Sequence, residues 1–213
     1  MGVSYVGQVG EAFDAGVSAT TMTVTTSTAT EVGTYLVLAS RSGLSSPVSA
    51  VSDTAGNTWA KVNNNASNTV CSVWSCFVTT QIPAASTITI TYTVSNGNKN
   101  AGVWAFRGLN RPVITSATAQ GSGTTGNTRN LTPSRYASLL LSVAGVQNNS
   151  TFTQPTGFTK LPLTTSSIHV NAAYRIQPGV GSSGTTWTWT VSGTFGIVSS
   201  TLTPDGGDFL AVL

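Results

Sequence analysis

Charged side chains are scarce in this sequence. Only 9 Lys and Arg and 6 Asp and Glu occur among 213 residues, or 7% of the chain, against about 25% in a typical soluble domain. Coiled coils are therefore excluded, because their heptads need charged flanking positions. The formal net charge of +3 comes from scattered residues, and without a basic block we expect no charge-driven binding of nucleic acid.

Long apolar runs are also missing. The sequence contains no stretch of 18 consecutive apolar residues, so no membrane-spanning helix is expected. The first residues, Met1–Tyr5, do not form a basic segment followed by an apolar one. We therefore expect no secretory signal and no contact with a membrane.

Cysteine and histidine are nearly absent, since the chain has two cysteines and one histidine. Cys71 and Cys76 lie five positions apart in one apolar run. In an extended strand this odd separation directs them to opposite faces, about 16 Å apart at ~3.3 Å per residue. The spacing thus predicts two buried or half-buried free thiols, which suit a reducing compartment.

Threonine and glycine are abundant where charged residues are scarce, with 36 and 22 residues respectively. Apolar residues alternate with threonine in residues 21–26, 87–95 and 186–192. This period of two predicts antiparallel strands with one buried and one wetted face. Three other runs, 35–39, 103–106 and 138–146, are apolar at both parities and predict strands that are covered on both sides or lie at a subunit contact.

Turn residues separate these runs at short intervals, as at residues 53–58, at Asn96-Gly97 and at Pro155–Gly157. No window of ten residues has the apolar spacing of a helix. Many short strands without helices predict an all-β fold, an antiparallel β-sandwich or jelly roll.

An internal duplication is visible in the order of the matches. Residues 35–40, 59–62 and 89–95 resemble residues 138–143, 158–161 and 186–192 in turn. We therefore predict two duplicated halves, residues 1–112 and 113–213, with residues 115–130 as a low-complexity connection. The halves could be two small sandwiches packed closely together, which we favour, or one larger fused sandwich.

The side chains that support catalysis are few, and we predict that the protein is not an enzyme. His169 is the only histidine and stands in an ordinary strand context, so a Ser-His-Asp arrangement has little basis. A glycan hydrolase would need two carboxylates across a cleft, and Glu11 with Asp14, or Asp205 with Asp208, are the candidate pairs.

We also predict no cofactor and no metal. Asp53 opens a turn, where its carboxylate is expected to cap its own backbone. The alternative is a Ca²⁺ site shared with Asn57, although Ca²⁺ takes more oxygen ligands than these. No zinc pattern or phosphate-binding loop is present.

Aromatic residues supply the one candidate ligand site. Trp187 and Trp189 lie two residues apart on one strand face. They could form a platform that stacks on sugar rings, or they could fill the core where the first half has Ile90 and Tyr92. The duplication favours the core. Four arginines near the junction of the halves could face an acidic partner or solubilise the connection: Arg107, Arg111, Arg129 and Arg135.

The order of several motifs resembles a known group of proteins. The motifs are Val3–Gly7, Val32–Leu38, the turn segment Val51–Trp59 and Gly102–Leu109. Their layout is similar to that of jelly-roll structural proteins of tailed bacteriophages, especially phages of actinobacteria. These are often minor tail proteins, and similar modules decorate capsids.

The resemblance implies a non-enzymatic virion protein, either tail-associated or capsid-decorating, that is assembled in the host cytoplasm. It implies other virion subunits as partners and a homo-oligomer such as a trimer. It transfers no catalytic residue. The alternative is a carbohydrate-binding module that attaches to host cell-wall glycan through Trp187 and Trp189.

Overall fold

The structure is a computed structural model. The structure describes residues 2–14, 16, 18–43, 46–65, 69–110, 112–133, 137–163 and 170–204. This part of the chain forms 14 strands and no helix. The prediction of an all-β antiparallel sandwich is confirmed. His169, Arg111, Arg135, Asp205 and Asp208 lie outside the described residues.

The strands follow one another along the chain with short connections. They are β1 (Ser4–Asp14), β2 (Ala19–Thr25), β3 (Tyr35–Gly43), β4 (Val48–Asp53), β5 (Trp59–Asn64), β6 (Thr69–Phe77), β7 (Thr87–Asn96), β8 (Lys99–Arg107), β9 (Val113–Gly126), β10 (Ser138–Val146), β11 (Phe152–Thr153), β12 (Thr159–Lys160), β13 (Val170–Gln177) and β14 (Trp187–Thr203).

Two inner sheets share one strand order. The first inner sheet has the order β1-β8-β3-β6-β5. The second inner sheet has the order β9-β14-β10-β13-β12, and β11 pairs with the start of β14. A third, outer sheet has the order β2-β7-β4. The repeated order corresponds to the sequence duplication, and residue 112 lies in the connection between β8 and β9.

Three apolar cores cover the faces of the two inner sheets. The first core lies between the outer sheet and the first inner sheet and includes Val24, Ile90 and Leu38. The second core lies between the two inner sheets and includes Trp104 and Leu141. The third covers the other face of the second inner sheet. The central strands of an inner sheet are therefore buried on both faces, as for β10, whose nine residues are all buried.

Direct contacts join the two halves across the second core. The indole N–H of Trp104 donates to the carbonyl oxygen of Pro162 at 3.0 Å. The rings of Tyr5 and Tyr174 lie 5.2 Å apart. The side-chain oxygen of Asn100 accepts a hydrogen bond from the backbone N–H of Val170 at 3.2 Å. Apolar burial and hydrogen bonds therefore both hold the halves together.

The predicted low-complexity connection at residues 115–130 is wrong over most of its length. β9 occupies Val113–Gly126 and pairs antiparallel with β14. Its small and polar residues suit the edge of a sheet, where only one side of the strand needs a partner. The apolar periodicity that marks an inner strand is consequently weak in β9.

Candidate functional site

The candidate sugar platform is not exposed. Trp187 is 0% exposed and Trp189 4% exposed, and both belong to the third core. The indole N–H of Trp187 donates to the Ser142 hydroxyl, and that of Trp189 to the Gly123 carbonyl, each at 2.8 Å. A platform must present a ring face to solvent, so this placement corrects the interpretation of the pair as a glycan site and supports a core role.

The turn after β4 is organised by one carboxylate. Oδ1 of Asp53 accepts hydrogen bonds from the backbone N–H groups of Ala55 at 2.9 Å and Asn57 at 3.3 Å. Oδ2 accepts the indole N–H of Trp59 at 2.8 Å. Gly56 has a φ of 76°, a conformation that favours glycine. The predicted capping role of Asp53 is confirmed, and its bond to Trp59 was not anticipated.

Asn57 extends this turn to a second loop. Its Oδ1 accepts the backbone N–H groups of Thr79 and Thr80, both at 2.9 Å. Its Nδ2 donates to the carbonyl of Thr80 at 2.9 Å. The side-chain oxygens of Asp53 and Asn57 thus already accept from N–H donors, which is not how a Ca²⁺ site is built. No cluster of metal-ligating side chains occurs among the described residues.

Glu11 and Asp14, the first candidate pair of carboxylates, have different partners. Oε2 of Glu11 accepts a hydrogen bond from the Gln8 amide at 2.9 Å. Asp14 forms an ion pair with Lys99 at 3.1 Å. The two acids are three residues apart in β1, and an odd separation directs strand side chains to opposite faces. The second candidate pair, Asp205 and Asp208, lies outside the described residues.

Lys99 is a buried charged residue whose burial and partners the sequence pattern does not predict. It is 0% exposed, and its ammonium group donates to the carbonyls of Ala19 and Asn96 at 2.8 Å each, besides Asp14. The ring of Tyr92 lies 5.6 Å from the nitrogen. These partners compensate for the loss of water around the charge, so Lys99 ties the β7–β8 turn to the ends of β1 and β2.

A cleft of about 280 Å³ lies between β1 and residues 28–34. Its lining includes Glu31 and Arg107. Glu31 is the only carboxylate among the lining residues that the structure describes, and its Oε1 accepts from the Gln81 amide at 3.1 Å. Glycoside hydrolysis needs a second carboxylate, which this lining does not provide.

The two cysteines are free and buried, as predicted. Cys71 faces the core between the inner sheets, whereas Cys76 faces the core under the outer sheet. The Cys71 thiol donates to the carbonyl of Gly196 at 3.1 Å. Burial raises the pKa of each thiol to about 12, so neither forms the reactive thiolate at neutral pH.

We expect both thiols to resist labelling in the folded protein. At pH 8, an aromatic disulfide reagent should react with neither cysteine in buffer and with both in denaturant, because the thiolate is the attacking form. The measurement is the absorbance of the released thiolate. One thiol reacting quickly in buffer would contradict its burial.

The raised pKa of the thiols also predicts a loss of stability in alkali. A thiol that ionises near 9 when unfolded and near 12 when folded stabilises the native state fully below pH 9, and this contribution is lost as the pH rises towards 12. Between pH 8 and 10 we expect the free energy of unfolding to fall by roughly 1–3 kcal/mol. Urea titrations should show a smaller fall for Cys71→Ala.

The free edges of the two inner sheets differ, although β1 and β9 occupy equivalent positions. The register of β1 shifts twice, between Tyr5 and Gly7 and between Gln8 and Gly10. β9 pairs with β14 without a shift from Val113 to Gly123. β1 carries Glu11 and Asp14, whereas β9 carries no charge and no proline. Bulges and charges protect sheet edges from further pairing, so β9 is the less protected of the two edges from Val113 to Gly123.

Two of the four arginines near the junction, Arg107 and Arg129, lie in the part of the chain that the structure describes. Arg107 ends β8 and lines the cleft. Arg129 follows β9, and its guanidinium donates to the carbonyl of Ser116 at 3.4 Å. The other two arginines of the predicted group lie outside the described residues.

Comparison of the chain with models of protein families, with curated proteins and with solved structures finds no match. The described residues include no helix of the length and apolarity needed to cross a membrane.

Proposed function

We propose that this chain is a non-enzymatic structural protein of a bacteriophage particle, associated with the tail or decorating the capsid. The motif layout that resembles phage jelly-roll proteins supports the proposal. The observation that carries it is the stacked sandwich itself, in which three cores and a repeated sheet order form one packed unit. Such a unit suits a passive role of holding surfaces in place.

The use of the reactive side chains is consistent with this role. Asp53, Lys99 and both cysteines make contacts that hold strands and turns in the described part of the chain. The outer sheet directs Thr21, Thr23 and Thr25 outward, and the threonines of β7 lie beside them. A neutral surface of this kind brings little charge repulsion to a crowded assembly.

Immunogold labelling of purified particles from the phage that encodes the chain tests this proposal. Label over heads would support a capsid decoration, and label on tails would support a tail protein. The control for specificity is antibody that has been pre-adsorbed with the purified protein. Particles that take no label, with an antibody that binds the free protein, would contradict the virion assignment.

A further inference from the structure

The outward edge of β9 consists of main-chain groups that meet no strand of the described chain, since only β14 pairs with β9. The pairing of β14 determines which groups these are. The backbone N–H of Gln147 donates to the carbonyl of Thr194, on the β10 side of β14. Successive residues of a strand direct their backbone N–H and C=O groups to opposite sides. Phe195 and Ile197 therefore form their backbone hydrogen bonds towards β9, where Gly121 and Ala119 are their partners.

The intervening residues of β9 therefore direct their N–H and C=O groups away from β14. Ser116 agrees with this assignment, because its carbonyl accepts from Arg129 instead of from β14. Thr118, Gln120 and Ser122 follow in the same phase, and all three are exposed. Their backbone N–H and C=O groups thus form an exposed window, a stretch of sheet edge with no partner strand in the described chain.

The other edge strands of the described sheets are protected in ordinary ways, as in β4, which ends at Asp53 and has a register shift between Val48 and Ala50. β5 carries Lys61 and a register shift, and β12 has two residues. β2 is uncharged, but it has half the length of β9 and its register shifts after Ala19. Natural sheets use such devices against unwanted pairing. From Val113 to Gly123 the longest edge strand, β9, has none of these devices, and its one register shift lies beyond Gly123. This unshifted stretch indicates that the edge has a partner.

We propose that β9 pairs antiparallel with β9 of a second copy of this chain, with Gln120 opposite its own counterpart. Thr118 of one copy then faces Ser122 of the other. No like charges of β9 itself face each other across such a two-fold pair, because β9 has no charged residue. The exposed window Thr118–Ser122 is centred on Gln120, which sets the register.

The alternative of β9 pairing with β1 of the next copy would produce a head-to-tail ring or an open polymer. The two bulges and the carboxylates of β1 oppose it. The β9 pair is closed, and it joins the second inner sheets of two copies into one continuous sheet. This pairing makes a second copy of the chain one partner in the assembly proposed above. Its biological meaning rests on that proposed function.

Charge-swap variants test the pair. Gln120→Lys and Gln120→Glu each place like charges across the two-fold axis, and each should associate roughly tenfold more weakly than the wild type at low salt. An equimolar mixture should recover association, because Lys then faces Glu. Sedimentation velocity over a concentration series is the measurement. The control is Thr23→Lys, an equal charge on the outer sheet, which should associate as the wild type does.

Gln120→Pro gives a second line of evidence. The N–H of Gln120 points outward, so proline is compatible with β9 and removes a hydrogen bond only from the pair. We expect a folded monomer. A wild-type chain that remains monomeric at all concentrations, or charge variants that associate as the wild type does, would overturn the pairing. Particle labelling would be unaffected by that result, so the two proposals fail separately.

Discussion

Replacing Trp187 by alanine is expected to destabilise the protein by about 3–5 kcal/mol, the usual cost of removing a buried aromatic ring. The ring is fully buried and meets Phe152 edge to face, with centroids 6.1 Å apart. The variant leaves a cavity in the third core and removes the indole donor from the Ser142 hydroxyl. Urea unfolding followed by intrinsic fluorescence measures the loss.

The neighbouring residue provides a matched control. Thr188 is exposed on the same strand and pairs with β9 and β11 through its backbone. Thr188→Ala should change the free energy of unfolding by no more than about 0.5 kcal/mol. A Trp187→Ala variant that is as stable as the wild type would contradict the core assignment and restore the interpretation of Trp187 as a ligand platform.

Sequence periodicity was enough to predict the strands that alternate or are wholly apolar. β7 and β10 follow from their patterns because a strand buried on one face alternates, whereas one buried on both does not. The opposite faces of Cys71 and Cys76 follow from the same period of two. These features depend on local geometry, which a short segment determines alone.

What covers a strand face could not be predicted in this way. The alternation at Trp187 and Trp189 is the same for an exposed platform and for a core, and only the loops that pack over them decide between the two. The sequence predicts a connection in place of β9 because the partner strand, β14, begins 61 residues after β9 ends. Lys99 likewise depends on the distant residues Asp14 and Ala19.

Asp53→Ala is expected to cost about 3 kcal/mol, because one carboxylate accepts hydrogen bonds from two backbone N–H groups, the Asn57 amide and the Trp59 indole. Bonds to a charged group contribute about 1.5–3 kcal/mol each in isolation, and their sum is reduced when water replaces the lost acceptor. Thermal and urea unfolding measure the loss. The matched control is Ser52→Ala, an exposed neighbour in β4.

Asp53→Asn separates the turn from the bond to Trp59. An asparagine has one oxygen, so its amide N–H₂ must face either the Ala55 N–H or the indole N–H, and two donors then meet. We expect a loss of about 2 kcal/mol despite the nearly equal shape. Trp59→Phe removes the indole donor while it retains an aromatic ring in the first core.

The two changes should therefore not be additive. In the Trp59→Phe background the amide N–H₂ of Asn at position 53 no longer opposes a donor, so Asp53→Asn should cost about 1 kcal/mol less than it does alone. That difference isolates the carboxylate–indole bond, which extends the turn into the first core and fixes where β5 begins. Equal costs in both backgrounds would mean that Asp53 stabilises the fold only through its own turn.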